Sequence, residues 1–270
     1  MRAPRHSRLV GYLAGYAMDA KLAFRVWQRE LTLYRRIWPS TILSTLFDPI
    51  LYLLAMGFGV GAYITDQIEG VSYLQFIAPG LVAASVMYAA AYEAAWNSYV
   101  RIFHERSYEA MMTTPANLED VVAGEVMWGA TRSLIYSIVM LGVLAGFGLV
   151  RSPWALLIPL VSFLGGSMFM ILGLSYTVRM RHMDQITFLF TLGVTPMFLF
   201  SGVFFPIAGL PAWVQTVAWA SPLYHLVETV RALAFGTIDI AVLGHLAWMA
   251  GLTLLLWGLP ALVLRRRLRG

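Results

Sequence analysis

The sequence predicts an all-α integral membrane protein with six transmembrane helices, an N-terminal amphipathic interfacial helix, a re-entrant helical hairpin between spans five and six, and both termini in the cytoplasm. Composition predicts the class: of 270 residues, 59% are hydrophobic and 12% are charged, against about 45–50% and about 25% in soluble domains. The apolar residues also form segments longer than the roughly 20 residues that a helix needs to cross a bilayer. No second, soluble domain is expected, so residues 1–270 are treated as a single transmembrane domain.

The N-terminal segment, residues 1–38, is too charged to span a membrane and lacks the apolar core and cleavage site of a signal peptide. Its apolar residues recur at three- and four-residue spacing while the cations project elsewhere, which predicts a helix in the headgroup layer. Glu30 interrupts this pattern, and a plain basic juxtamembrane stretch is the alternative. The apolar positions are Leu22, Ala23, Val26, Trp27, Leu31, Tyr34, Ile37 and Trp38.

Six apolar segments follow, and each is long enough to cross as a helix that satisfies its own backbone hydrogen bonds. The predicted spans are Ile42 to Ile64, Leu74 to Tyr99, Val121 to Val150, Trp154 to Val178, Ile186 to Phe205 and Ile240 to Leu264.

The distribution of cations predicts the orientation. Sixteen of the nineteen Lys and Arg residues lie in the N-terminal segment, the second-to-third connection, the fourth-to-fifth connection or the tail. The first-to-second connection, which holds Asp66 and Glu69, has none. Because six spans place both termini on one side, the positive-inside rule assigns that side to the cytoplasm.

The cytoplasmic connection around residues 101–117 is too polar to span. It predicts a short amphipathic helix from Glu105 to Thr113, a stop at Pro115, and an N-cap at Asn117 for the third span. Such a helix suits docking of a soluble partner; the alternative is a solvated loop packed against the bundle. Glu119 and Asp120 would then lie in the first turn of the third span, near the positive end of its dipole.

The stretch 206–238 is rich in Pro, Gly and Trp, too apolar for a free loop and too broken for a span. We predict two short helices dipping into the outer leaflet, the second beginning at Ser221 and Pro222 and ending at Gly236. His225, Glu228 and Arg231 fall on one stripe of that helix, where they would hold the hairpin in place or line an outward exit.

Ionisable residues inside spans are costly and need a partner or a cavity. The sequence places Asp48 before Pro49 in the first span, Glu93 in the second, and Glu125 and Arg132 on one face of the third. Interhelical anchoring and proton relay are both open. Pro49 should bend or break the first span, and His182 with Asp184 offers too few ligands for a metal site.

An aromatic stripe runs along the second span at four- and three-residue spacing, through Tyr88, Tyr92, Trp96 and Tyr99. Rings that stack and also form hydrogen bonds suit the faces of sugars. The alternative is a packing face that ends in the interfacial aromatic belt.

Enzymatic classes are excluded by missing residue types. The chain has no cysteine and a single lysine, Lys21, which lies outside any P-loop pattern. It also has no His-Glu-x-x-His pair and no Gly-x-Ser-x-Gly elbow. We therefore expect no catalytic residue, no metal and no ATPase activity in this chain itself.

Several short motifs follow one another along the chain. They are Tyr34-Arg35-Arg36-Ile37-Trp38-Pro39, Asp48-Pro49-Ile50-Leu51-Tyr52-Leu53 before Gly57-Phe58-Gly59-Val60-Gly61, Tyr108-Glu109-Ala110-Met111-Met112-Thr113-Thr114-Pro115 before Gly124-Glu125, Thr195-Pro196-Met197-Phe198, Phe204-Phe205-Pro206 and Leu210-Pro211, Pro222 to Arg231, and Leu264-Arg265-Arg266-Arg267-Leu268. In this order and spacing they resemble the membrane subunit of ABC type-2 exporters, especially the nodulation-factor (lipooligosaccharide) permeases. The likeness covers Trp27 to Arg269.

The resemblance implies a multi-pass protein of the cytoplasmic (inner) membrane, acting as a homodimer with two copies of a separate ABC ATPase. That ATPase, and not this chain, would bind ATP and Mg²⁺; membrane lipids are expected partners and nucleic acid is not. Region 101–117 would contain the coupling helix, with the coupling residues Arg101, Glu105, Arg106, Tyr108, Glu109, Met111 and Met112. Spans one, two and five would form the pathway, with the candidate path residues Tyr52, Tyr88, Tyr92, Trp96, Phe198 and Phe204.

The resemblance thus predicts the permease subunit of an ATP-driven exporter for a lipid-linked saccharide, glycolipid or other amphiphile. Fold-level likeness does not choose among these cargoes. The alternative is a secondary transporter or channel without an ATPase, coupled to protons through Asp48, Glu93 or Glu125. Asp48, Glu93, Glu125, Arg132, His225, Glu228 and Arg231 are the predicted structural or gating polar residues.

Overall fold

The computed structural model describes residues 18–64, 67, 68 and 70–269, and in these ranges the regular elements are helical apart from one isolated bridge between Ile68 and Val71. Three predictions concern residues wholly or partly outside these ranges: the first seventeen residues of the N-terminal segment with their cations Arg2, Arg5 and Arg8, the acidic Asp66 and Glu69, and the side chain of Asp48.

Eleven α-helices are assigned in the described part of the chain, several of them extended by π- or 3₁₀-helical turns. They are α1 Ala20–Leu54, α2 Tyr73–Tyr92, α3 Ser107–Met111, α4 Leu118–Gly146, α5 Ile158–Thr177, α6 Gln185–Phe188, α7 Thr195–Phe200, α8 Ala212–Ala220, α9 Pro222–Phe235, α10 Ile240–Leu256 and α11 Leu259–Arg269. The π-helical segments are Ala55–Gly59, Glu93–Asn97, Val100–His104 and Leu189–Val194, and the 3₁₀ segments are Val60–Ala62, Pro153–Leu157 and Ile207–Gly209.

Helix α1 joins the predicted interfacial segment and the start of the first span into one continuous helix. It contains Pro39 and Pro49, so of the two effects predicted for Pro49, a bend or a break, the break does not occur. A proline removes only one backbone N–H donor, and helices in a bundle tolerate that loss because neighbouring elements compensate.

The predicted helix starts and stops agree with the structure at several points. Asn117 is the N-cap of α4, and its backbone N–H donates to Asp120 at 2.8 Å. Ser221 occupies the N-cap position of α9 without a capping hydrogen bond from its side chain, Pro222 begins the helix, and Gly236 ends it in the left-handed conformation at φ 79°. The predicted helix Glu105–Thr113 is shorter than expected: α3 covers Ser107–Met111 and is preceded by Arg106 at a left-handed φ of 50°.

Helix α4 is central and packs against α5, α1 and α2. Glycines allow the closest approaches: a Cβ built at Gly124 would lie 2.6 Å from the Val26 side chain and 2.7 Å from the Ala23 carbonyl. Small residues at such crossings let membrane helices pack backbone to backbone.

Contacts between the ends of several helices define the two ends of the bundle. At one end the Asp19 backbone N–H donates to Asp120 at 2.6 Å, Arg265 pairs with Glu119, and Arg267 donates to the Val178 carbonyl at 2.9 Å.

At the other end Arg151 joins two further elements. Its guanidinium donates to Gln75 at 2.6 Å, and its backbone N–H donates to the Ala234 carbonyl at 3.2 Å.

Four helical stretches in the described part of the chain are long and apolar enough to cross a membrane. They are Tyr73–His104, Leu118–Gly146, Pro153–Thr177 and Ile240–Arg267. Two shorter apolar stretches, Pro49–Ala62 and Gln185–Phe200, fall on the predicted first and fifth spans.

Candidate functional site

A groove of about 780 Å³ opens between α1, α2 and the α6–α7 region. These elements correspond to the predicted first, second and fifth spans. The lining residues are Thr41, Pro49, Tyr52, Leu81, Ala84, Tyr88, Tyr92, Trp96, Asn97, Arg132, Phe190, Thr195 and Phe198. The groove therefore contains five of the six candidate path residues.

The wall of the groove is a connected series of aromatic rings. Tyr92 lies 4.6 Å from Phe190 and 6.3 Å from Tyr88, and Tyr88 lies 5.5 Å from Phe198, measured between ring centroids. Tyr92 and Trp96 remain 45% and 49% exposed. Such rings offer apolar faces with polar edges, a surface that suits an amphiphilic ligand.

Phe204, the sixth candidate, does not line the groove. It packs behind Phe198 at 4.9 Å and lies 6.1 Å from Tyr52. Tyr99, the last member of the predicted stripe, is buried against Phe103 at 4.8 Å. The predicted aromatic stripe is therefore divided. Tyr88, Tyr92 and Trp96 line the groove, whereas Tyr99 packs inside the protein against Phe103.

The groove has a polar part, where Arg132 and Asn97 contribute to its lining. Both donate to the same oxygen, Oε2 of Glu93, and the Asn97 bond is 2.7 Å long. Arg132 also donates to the Tyr136 hydroxyl at 3.1 Å, and that hydroxyl donates to the Thr41 carbonyl at 3.0 Å. Arg132 thus links α4 to α2 through Glu93 and, through Tyr136, to α1.

Next to this polar part, Arg101 binds three carboxylates from three helical regions. Its guanidinium lies 2.9 Å from Glu30 in α1, 2.5 Å from Glu93, and 2.6 Å from Glu125 in α4. Ser98 donates to the same Glu125 oxygen at 3.1 Å. The interhelical pairing expected for Glu93, Glu125 and Arg132 is present, but Glu125 and Arg132 connect through Arg101 and Glu93 and not directly.

Charge in this network is nearly balanced within the protein interior. Glu30, Glu93 and Glu125 are almost fully buried, as are Arg101 and Arg132, and the half-exposed Arg29 pairs with Glu30. Burial raises the pKa of the Glu30 carboxyl, and the charges of Arg101 and Arg29 oppose that rise. Buried ions of this kind are strongly destabilising when one partner is removed.

Glu30 interrupts the apolar residues in the sequence pattern of the N-terminal helix. In the structure that face is Ala23, Val26, Glu30 and Tyr34, all buried at three- and four-residue steps. The spacing was therefore continuous, and Glu30 belongs to the buried face because Arg101 neutralises it.

The α3 region is less exposed than expected at two positions. Tyr108 is 2% exposed and Arg101 is 8% exposed, so neither lies on a surface that a soluble partner could reach. Burial raises the pKa of the Tyr108 hydroxyl, and nearby Glu125 raises it further. Glu105, Arg106 and Glu109 are exposed, and Met111 and Met112 are half-buried.

The polar stripe on α9 ties this helix to its neighbours. Arg231 pairs with Glu228 at 2.6 Å and donates to the Gly202 carbonyl at 2.6 Å. His225 lies 2.8 Å from His245 of α10 between their Nδ1 atoms. These contacts hold α9 against the turn at Gly202 and against α10.

Sequence reasoning missed Glu30, Asn97, Phe190 and Thr195 as members of this site. The regular spacing of Glu30 was a usable signal, whereas Phe190 and Thr195 reach the groove only through the packing of the fifth helical region. Among the described residues, no group of three or more His, Cys, Asp or Glu side chains is arranged to hold a metal ion.

Comparisons with known proteins agree on one family. The ABC-2 type transporter family profile matches residues 21–235. Nodulation protein J of Rhizobium leguminosarum bv. trifolii is 32% identical over 90% of this chain and 92% of its own. Nodulation protein J of Rhizobium meliloti is 30% identical over 95% and 98%. The inner membrane transport permease YadH of Escherichia coli K12 is 27% identical over 80% and 83%.

Proposed function

Because the chain belongs to the ABC-2 type transporter family, we propose that it is the permease subunit of an ATP-driven exporter. Its cargo in this proposal is a lipid-linked saccharide, glycolipid or other amphiphile, carried across the cytoplasmic membrane. The observation that carries the proposal is the aromatic groove placed directly beside the buried network of Arg101. A surface that suits an amphiphile thus lies next to the region of Arg101 and α3, which is proposed to contact an ATPase.

Six crossings with both termini in the cytoplasm fit the end contacts of the bundle. The beginning of α1, the beginning of α4, the chain after α5 and the C-terminal helix α11 meet at one end. The beginning of α2, the chain after α4 and the end of α9 meet at the other. In this proposal Pro49–Ala62 and Gln185–Phe200 belong to the first and fifth crossings, and α8 and α9 form a re-entrant hairpin in the outer leaflet.

The exposed tryptophans of the hairpin support its proposed place near the outer headgroups. Trp213 and Trp219 of α8 are both exposed, and tryptophan is enriched at membrane interfaces. At the opposite end, the exposed cations of α1 fit the anionic cytoplasmic headgroup layer.

ATP hydrolysis by the partner would be coupled to transport through α3. We propose that its exposed residues contact an ABC ATPase, present in two copies, which binds ATP and Mg²⁺ and hydrolyses the nucleotide. Arg101 lies just before α3, so a displacement of α3 reaches Glu30 of α1 and Glu125 of α4 through one guanidinium. Two packing arrangements biased by the partner's nucleotide state are sufficient for alternating access.

A homodimer would complete the path. The groove is open on one side in the monomer, and its rim includes the exposed Tyr52 of α1 and Thr195 of α7. A second copy placed over this side would enclose the aromatic rings and leave them facing a shared central passage.

The proton-coupled alternative receives less support. Glu93, one of its candidate carriers, is bound by Arg101 at one oxygen and by Arg132 and Asn97 at the other. Both oxygens of Glu93 thus join helices through ion pairs and a hydrogen bond, which supports interhelical anchoring as its role.

Co-purification with an ABC ATPase, sought first in the open reading frame next to the one for this chain, tests the proposal. We expect a complex that hydrolyses ATP faster in the presence of cargo, and mass spectrometry of the retained lipids identifies that cargo. Ion-driven uphill flux by the purified chain alone, without an ATPase, would overturn the proposal.

A further inference from the structure

Charge is distributed unevenly along the groove. Of the lining residues, Arg132 is the one that carries a full charge; the remainder are aromatic, aliphatic or neutral polar. Arg132 is 4% exposed and its charge is engaged by Glu93. A ligand that enters the groove therefore meets no free cation among the described lining residues.

The network next to the groove offers no spare cation either. Its three carboxylates, Glu30, Glu93 and Glu125, are paired with Arg101 and Arg132, and Glu30 is also paired with Arg29. An anionic headgroup in the groove would therefore lose its hydration without gaining an ion pair. In a low-dielectric site that loss opposes binding.

We propose that Glu93, by holding Arg132 in an ion pair, makes the groove select uncharged saccharide headgroups and reject anionic ones. The inference rests on the proposed function, since it requires that cargo occupy the groove. The aromatic rings of Tyr88, Tyr92 and Trp96 would stack on sugar faces, and Asn97 and Thr195 would supply neutral polar contacts. Glu93 is a positioning residue here, because it acts on the ligand through Arg132.

The natural absence of cysteine gives a direct test. Thr195→Cys places one thiol on the groove lining, and Leu254→Cys places one on the exposed side of α10 as a matched control. Each full-length variant is reconstituted in phosphatidylcholine nanodiscs, and its alkylation by a maleimide is timed. The added lipid is monogalactosyl diacylglycerol or phosphatidylglycerol with the same acyl chains.

The expected result is that the galactolipid slows alkylation at position 195 about tenfold more than phosphatidylglycerol does, which is the ratio that one charge-assisted contact commonly makes. Alkylation at position 254 should respond equally to both lipids. Equal protection at position 195 by the two lipids would overturn the charge selectivity and leave the groove as a cargo site. No protection by either lipid would overturn the groove as a cargo site and, with it, this inference.

Glu93→Gln in the Thr195→Cys background tests the residue itself. Loss of the Glu93 carboxylate leaves Arg132 without a carboxylate partner, while Arg101 keeps its ion pairs with Glu30 and Glu125. Protection by phosphatidylglycerol should then rise to the level of the galactolipid, and adding Arg132→Gln should abolish that gain. Unchanged selectivity in a monodisperse Glu93→Gln protein would overturn the role of Glu93. Should this variant not fold, the comparison of the two lipids on Thr195→Cys alone still decides the selectivity.

Discussion

The guanidinium of Arg101 lies 2.9 Å from the carboxylate of Glu30, a residue 71 positions earlier in the chain. Both side chains are buried, and the same guanidinium binds Glu93 and Glu125. One side chain therefore connects α1, the π-helical region after α2, and α4. Arg101 lies in the π-helical segment Val100–His104, shortly before α3, so this connection is close to the helix proposed to contact a cytoplasmic partner.

Replacing Arg101 should destabilise the fold strongly. Arg101→Met leaves Glu30 and Glu125 buried without their main cation, so we expect a loss of about 3–5 kcal/mol in the free energy of unfolding. Arg101→Lys should recover part of the loss, because a lysine keeps the charge but cannot bridge three carboxylates in a fork geometry. Thermal unfolding in detergent measures both effects. The exposed Arg25→Met is the control, and equal unfolding temperatures for the Arg101 and Arg25 variants would contradict a structural role of the network.

The exposed charges around α3 should control coupling and not folding. Glu105→Arg combined with Glu109→Arg reverses two charges on the surface proposed to meet the ATPase. We expect the permease-stimulated ATPase rate to fall by about tenfold or more, as at an interface hot spot, with no change in the unfolding temperature. Tyr108 is unsuitable for this test because it is buried, so its truncation would alter folding.

A matched control for the α3 variants is Asp184→Arg, an exposed charge reversal in the connection between α5 and α6. It should leave the ATPase rate close to the unmodified value. An equal loss of stimulation by Asp184→Arg would assign the partner surface to a broader region than α3.

The aromatic wall should contribute to cargo affinity. Tyr92→Leu removes a ring that contacts Phe190 and Tyr88, and a stacking loss of about 0.5–1.5 kcal/mol corresponds to a KM about two- to tenfold higher for saccharide-bearing cargo. Transport by the reconstituted complex measures the effect, and Tyr63→Leu, at an exposed tyrosine outside the groove, is the control. A loss of assembly equal to the loss of transport would show that Tyr92 serves packing.

Close packing of α1 on α4 should make Gly124 sensitive to substitution. A side chain at this position meets Val26 and the Ala23 carbonyl, so Gly124→Val should cost at least about 1–3 kcal/mol of stability. At Gly142, also in α4, a Cβ meets nothing within 4 Å, and Gly142→Ala should be neutral or stabilise by up to about 1 kcal/mol. Denaturation of the two variants side by side checks the contrast. Equal stabilities would contradict the close approach of α1 and α4.

Local chemistry made several elements predictable. Asn117, Ser221 with Pro222, and Gly236 were recognised from capping rules that act within one turn of a helix. The second, third, fourth and last spans were recognised because a long apolar helix is the simplest way to satisfy backbone groups in a membrane. The pair Glu228 and Arg231 followed from a three-residue helical step.

Other features depended on which helices become neighbours. The sequence pattern placed Tyr108 on a partner-facing helix and the family resemblance added Arg101 to the coupling region, whereas the fold turns both side chains inward. Glu30 interrupts an apolar face in the sequence, and nothing local explains it because its neutralising partner, Arg101, lies 71 positions away. Phe190 and Thr195 gave no local signal, since their role arises from the position of the fifth helical region across the groove.

The sequence by itself determined the membrane class, the asymmetry of positive charge, several helix boundaries and the missing ATPase motif, because composition, periodicity and capping act over a few residues. Only the tertiary structure decided that three carboxylates meet at Arg101 and that Arg132 is neutralised beside an aromatic groove. The physical reason is that a buried charge is tolerated only next to its counter-charge, and the partner can come from any helix that packing brings within about 3 Å.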